Sequence, residues 1–470
     1  MISRHRSMLS GFPSRIVVSS IVIGLLLLAL HTGVYLLSSF EAQFPVLPAS
    51  LSLGLFWSVV AVTAVVILRF SRDRLTSTTS ADDYLQQLSD LGLLGKLMLI
   101  ALTGLCLHIY AKYFLTTIRP VSCLFEIRFA WIEVGHDGLP IHVRIASILG
   151  HLLTSFAYAG TLLSSWAVVR PPRGASRFRM ASYLLGFLTC GVVFSGFIGS
   201  RNAMLAFVVT GFFGVLIALS VSRFSWSALF RAAPVFILPV AIGLAFSSAV
   251  FSDRIFCATD AAEGEPSKAA VAKASNTYMS GFYDEFAIKQ KSRQSEKSAS
   301  VASVLERHCS ICAPTFLYIN HGVINFAQVM ATERRGDHIL FRFVEAIASR
   351  LGIVELEENP APSRVFGPGG LPLAGAAFHD YGWQGLVAVA VFLGSVLGIG
   401  SRMLASPGFR FGIGLVLVTA CFYTLALSNM FVAPSVISFP FIVFSLSFSF
   451  VLFPWLSRQS VWMGTSEKPS

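Results

Sequence analysis

The sequence predicts an all-α polytopic membrane protein with about ten transmembrane helices and one large loop on the outer side. Two observations carry that expectation. Mean hydropathy is +0.71, with 54% hydrophobic and 13% charged residues, against about 25% charged in an ordinary soluble domain. The apolar sequence is also cut into runs of roughly 20 residues, the length that crosses a hydrocarbon core about 30 Å thick. A single long hydrophilic segment, Phe251 to Gly382, interrupts this pattern. The chain therefore divides into 1–250 with seven spans, 251–382 as the loop, and 383–470 with three spans and a tail.

The first run, Ile16–Leu37, follows Arg4, His5, Arg6 and Arg15. It exceeds the 7–15 residues of a signal-peptide core and no Ala-x-Ala follows, so it reads as a retained span. The others are Ser50–Leu68, Leu94–Tyr113, Ile145–Val168, Tyr183–Ile198, Ala203–Ser220, Pro234–Phe251, Gly385–Gly400, Ile413–Met430 and Val436–Phe453. With the N-terminus inside, the inner loops hold Arg69, Arg72 and Arg74, then Arg170, Arg173, Arg177 and Arg179, then Arg223, Arg231, Arg402, Arg410 and Arg458. This is the positive-inside arrangement, with both termini cytoplasmic and the long loop outside. It also accounts for the net charge of +11. Nucleic acid is excluded as a partner, because no basic run interleaves with exposed aromatics.

Within the loop, Ala261–Ser303 is rich in Ala, Ser, Lys and Glu, a composition that does not bury a core. Thr315–Met330 is apolar enough for a helix packed on the membrane domain. His338–Leu351 places Leu340, Phe343, Val344, Ile347 and Leu351 at helical spacing, an amphipathic surface helix. Asn359–Pro372, rich in Pro and Gly, is an irregular loop. Cys123, Cys257, Cys309 and Cys312 face outward, where disulfides are permitted. Cys106, Cys190 and Cys421 lie in spans as packing residues.

Arg201 is the sharpest single signal. It sits in Gly199-Ser200-Arg201-Asn202-Ala203, a short outward turn between two spans. A guanidinium that close to hydrocarbon is costly unless it is paired or solvated. Either it grips a phosphate of a membrane-embedded substrate through its planar fork, or it snorkels to lipid phosphates. Arg342, on the surface helix, and Arg364, in the Pro/Gly loop, add cations on the same side. His379 and Asp380 lie just before the eighth span, and either could act as a general base toward a sugar hydroxyl. The competing reading of Asp380 is a helix N-cap. No Gly-rich phosphate loop, His-Glu-x-x-His, nucleophile elbow or Asp-x-Asp is present.

Three stretches carry a resemblance. Ile198-Gly199-Ser200-Arg201-Asn202-Ala203 resembles the "Gly-Ser/Thr-Arg-x-x" element of bacterial oligosaccharide repeat-unit polymerases, the Wzy-type O-antigen polymerases. Phe316–Phe326 is similar to that family's loop helix, and Phe378-His379-Asp380-Tyr381-Gly382-Trp383-Gln384-Gly385 to its "Tyr-x-Asp-Phe-Gly-x-x-Gly" re-entry. His379 directly before Asp380 and the Ala261–Ser303 insert depart from the family pattern. The resemblance implies a GT-C-like glycosyltransferase of the bacterial inner membrane that needs no metal or other cofactor. Its substrates would be undecaprenyl-pyrophosphate-linked glycans, and its partners a chain-length regulator and a flippase. Arg201, with Arg342 or Arg364, would neutralise the departing pyrophosphate, and His379 or Asp380 would be the base. An O-antigen ligase shares the architecture and the donor. A transporter is a different class, but it would show internal repeats and midplane charges, and the sequence has no repeat.

Overall fold

A computed structural model describes residues 12–37, 40–42, 44–70, 79–118, 139–198, 201–221, 226–258, 288–290, 312–331, 372–406, 408–425 and 438–457. These residues form a helical bundle with one short strand pair. In chain order the elements are α1 (Phe12–Leu37), β1 (Phe40–Ala42), α2 (Val46–Phe70), α3 (Thr79–Asp90) and α4 (Leu93–Ile118). Next come α5 (Ile141–Thr154), α6 (Phe156–Val169), α7 (Arg177–Ile198), α8 (Arg201–Val221), α9 (Trp226–Ala258) and β2 (Ile288–Gln290). The last are α10 (Cys312–Ala331), α11 (Leu373–Met403), α12 (Phe409–Tyr423) and α13 (Ser438–Ser447), which continues into a π-helical turn, Phe448–Leu452.

Seven helical stretches among the described residues are long and apolar enough to cross a membrane: Val46–Phe70, Leu93–Ile118, Ile141–Val169, Arg177–Ile198, Ala203–Val221, Leu373–Met403 and Phe439–Ser457. The chain is a multi-pass all-α membrane protein. The other three expected spans coincide with α1, α9 and α12, whose apolar cores Arg15–Leu26, Phe230–Gly243 and Phe409–Tyr423 are shorter. Several boundaries differ from the sequence expectation. The fourth span is broken at Ser155, α9 runs past Phe251 to Ala258 with Pro234 and Pro239 inside it, and α11 begins well before Gly385. Hydropathy marks where apolar residues stop, whereas a helix continues wherever its backbone groups stay paired.

Buried positions follow helical stripes. In α4 they include Leu94, Leu97, Ala101, Gly104, His108, Ala111 and Leu115, alternating by three and four residues, with Leu93, Leu105 and Lys112 beside them. α6 is buried nearly all round and forms the hub, packing on α4, α7, α8, α9 and α13. Several seams need small residues, among them the following two. Gly394 of α11 lies against the α2 backbone at Val60. Where α4 crosses α5, a Cβ on Gly104 would collide with the backbone of Leu153 and Thr154, and one on Gly150 would sit 2.7 Å from the His108 nitrogen. Close backbone approach of this kind is how helices associate where lipid offers no hydrophobic drive.

Contacts agree with an up-and-down path. At one end, the Arg170 guanidinium donates to Asp82 at 2.7 Å, the Arg173 N–H donates to Gln86 Oε1 at 2.6 Å, and Lys96 lies over the Phe453 ring. The Tyr84 hydroxyl donates to the Phe450 carbonyl and its ring meets Phe411. Exposed aromatics flank arginines there: Phe70 after Arg69, Phe178 between Arg177 and Arg179, Phe230 before Arg231 and Phe409 before Arg410. That combination marks a membrane–water interface. At the opposite end, β1 pairs antiparallel with β2, Phe40 facing Gln290, so part of the long loop is tied to the α1–α2 connection. Ser52 of α2 donates to Met330 Sδ of α10 at 3.6 Å.

Candidate functional site

The site builds on α11 at the end away from the arginine belt. Its stretch from Trp383 to Met403 is already about 30 Å long, enough to cross the bilayer alone. Leu373–Tyr381 is therefore an arm beyond what a crossing needs, joined through Gly382. That residue has φ 61° and ψ −147°, a conformation essentially reserved for glycine. Three residues on, a Cβ at Gly385 would strike the Ala377 carbonyl and come within 2.6 Å of Tyr381 Cβ. The Gly-x-x-Gly spacing thus has a local cause: one glycine turns the chain and the other lets the two arms pack. Phe378 holds the corner, its ring 5.3 Å from Trp383 and 5.9 Å from Phe326 of α10. α10 presents Val323, Ile324, Phe326 and Ala327 to the core, with Asn325 fully buried among them.

In this short arm, His379 Nδ1 lies 3.0 Å from Asp380 Oδ1, and the two side chains are 1% and 0% exposed. Adjacent residues on a helix project about 100° apart, so the contact requires both side chains to turn toward each other. Asp380 fixes the ring orientation and leaves Nε2 as the nitrogen turned away from the carboxylate. This is an imidazole–carboxylate couple, able to take a proton and hold the resulting charge. The helix-cap reading of Asp380 is corrected: Asp380 lies within the first helical arm, whose N-cap is Pro372, and it is Gly382 that leaves helical geometry before the second arm.

Of the other expected site residues, Arg201 is the first residue of α8. Arg342 and Arg364 lie outside the described residues, as do the Ala261–Ser303 insert apart from Ile288–Gln290, the His338–Leu351 helix, Cys123 and Cys309. The structure brings His379 and Asp380 together and gives no relation between that pair and the arginines. Among the described residues, no group of three or more His, Cys, Asp or Glu side chains converges.

A second cluster of ionisable groups escaped the sequence reading. His108 and Lys112, one turn apart in α4, are 3% and 6% exposed inside the bundle. The His151 ring of α5 lies 6.3 Å from that of His108, and both pack on Phe194 of α7 at 5.2 and 4.9 Å. Among the described residues, neither ring nitrogen of His108 has a hydrogen-bond partner. The signal was available, because His108 falls on the three-four stripe of an apolar span, and an ionisable residue there is a functional marker by default.

No protein-family model, curated protein or solved structure matches this chain. The class that the fold defines is therefore the multi-pass all-α membrane protein.

Proposed function

We propose that this chain polymerises undecaprenyl-pyrophosphate-linked oligosaccharide repeat units into a surface polysaccharide, at the outer face of a bacterial inner membrane, with both termini cytoplasmic. The observation that carries the reading is the buried His379–Asp380 couple in the first arm of α11, directly before the Gly382-x-x-Gly385 turn on which the family resemblance rests.

In this reaction His379, oriented by Asp380, takes the proton from a sugar hydroxyl of the incoming unit. The hydroxyl oxygen bonds to the anomeric carbon of the growing glycan as the bond from that carbon to the pyrophosphate oxygen breaks. Lipid pyrophosphate leaves with the bonding pair, its charge met by Arg201 with Arg342 or Arg364. Fixed cations facing a developing anion in a water-poor site lower the barrier without reorganising.

A gel of surface glycan and lipid-linked intermediates from a deletion strain tests the reaction. The expected pattern is loss of the ladder with single repeat units still reaching the acceptor. Long polymer stranded on the lipid carrier would identify a ligase, and repeat units trapped on the inner face a transporter. At unchanged protein level, Asp380→Asn should lower polymer output about 10²- to 10⁴-fold, and Arg201→Ala should abolish it. Full activity in either variant removes that residue from the mechanism.

A further inference from the structure

At the arginine-rich end of the bundle, opposite the α11 arm, a cavity of about 230 Å³ opens where α3 lies across α4, α6 and α7. Its floor is apolar, formed by the buried Leu85, Leu88, Leu163 and Met180. Its mouth is polar: the exposed Arg179 and the half-buried Tyr183 flank the opening. Arg179 belongs to the first turn of α7, where Phe178 is 84% exposed between two arginines at the membrane interface. Arg170 and Arg173 are held nearby by Asp82 and Gln86 of α3.

We infer that this cavity binds one anionic phospholipid of the adjoining leaflet, with part of an acyl chain on the leucine floor and the phosphate on Arg179. The cavity is smaller than the 300–1,000 Å³ typical of soluble-ligand pockets, which suits a chain segment better than a whole metabolite. An apolar interior under a guanidinium at headgroup depth also matches the two ends of a lipid. Arg170, Arg173, Arg177 and Arg179, within ten residues of sequence, add the positive field that favours an anionic over a zwitterionic headgroup. The bound lipid would mortise α3 to the bundle.

Native mass spectrometry of the full chain in mild detergent tests this, with dioleoylphosphatidylglycerol, dioleoylphosphatidylcholine and inorganic phosphate as probes. The expected result is one phosphatidylglycerol per chain, at least tenfold preferred over phosphatidylcholine and not displaced by phosphate. Arg179→Gln should weaken retention about fivefold. Ala175→Phe, which narrows the mouth, should abolish it, and Gly95→Leu on the α4 side gives the same readout should Ala175→Phe misfold. Equal retention of the two lipids overturns the inference. So does displacement by phosphate, which would mark a free-anion site, or full retention in correctly folded mouth variants, which would place the lipid on the arginine surface outside the cavity. None of these outcomes depends on the polymerase reading.

Discussion

The α5–α6 and α11 stretches are both interrupted helices, and they are interrupted differently. The α5–α6 break at Ser155 is slight, with φ −60° and ψ −20°, still in the right-handed region. It is closed by a side chain: the Ser155 hydroxyl lies 2.6 Å from the Leu152 carbonyl and 3.0 Å from that of Phe441 on α13. The α11 break at Gly382 enters a backbone region that other residues avoid. Each break has buried ionisable groups beside it, but of different kinds. Near Ser155 they are His108 and Lys112, with the half-buried His151 against His108, all bases, whereas beside Gly382 they are an acid and a base in contact. Bases alone can hold an anion or a proton. Both breaks offer a base, but only at the second does a carboxylate lie against the imidazole, where it orients the ring and stabilises the charge that the ring takes on.

The comparison breaks most visibly at the backbone. Gly382→Ala should destabilise the protein by about 1–3 kcal/mol, the strain of a non-glycine residue in that conformation. Ser155→Ala removes one hydrogen-bonding hydroxyl from a backbone that alanine adopts freely, and should cost about 1 kcal/mol. Thermal unfolding of both variants in the same detergent gives the order. A larger loss at Ser155 would mean that the α5–α6 junction, and not the α11 arm, is the strained element.

How much of this was legible in the sequence depends on which force fixes each feature. Spans were readable because the bilayer imposes one length and one polarity on every crossing segment. Ser155 was not readable, since its break hangs on the Phe441 carbonyl, nearly 300 residues away. His379 and Asp380 were visible as residue types at a loop–membrane boundary. Their contact was not, because helical spacing argues against neighbours meeting. His108 was overlooked for another reason: in an otherwise apolar run, averaging over a window hides one ring at a core position. The Gly382-x-x-Gly385 pattern was visible as a resemblance, but its cause lies in the clash that any Cβ at position 385 would make.

His108 gives the next test. Its ring nitrogens, which have no hydrogen-bond partner among the described residues, carry a desolvation cost of about 1–3 kcal/mol, and the α4–α5 crossing beside it is set by the backbone at Gly104 and Gly150. His108→Leu should therefore raise unfolding stability by about that amount. If the cluster serves the reaction, polymer output falls while stability rises, and a rise in stability with unchanged output would assign the cluster to packing. A fall in stability would show that the ring makes a favourable interaction inside the bundle, contrary to this account.

The smallest expected effect concerns the exposed counterpart of the buried His379–Asp380 couple. Asp82 and Arg170 meet at 2.7 Å with side chains 46% and 28% exposed. Burial pushes the Asp82 carboxyl above its ordinary range, Arg170 pulls it back, Asp83 raises it again and Arg173 lowers it, and burial prevails. The folded state thus binds this proton more readily than the unfolded chain. Any stability Asp82 lends is present at low pH and is lost as pH rises through a window just above about 4. Asp82→Asn should consequently change stability at pH 7 by less than about 1 kcal/mol, in the stabilising direction, with the advantage over the native chain shrinking as pH falls toward 4. Unfolding curves for both proteins at pH 7 and pH 4.5 decide the sign. A variant less stable at pH 7, with the gap closing on acidification, would mean that the attraction of Arg170 outweighs burial and that the clasp holding α3 to the bundle is electrostatic. The predicted sign instead leaves α3 held by Ala81, Tyr84, Leu85 and Leu88 on its buried face, the face that also lines the cavity.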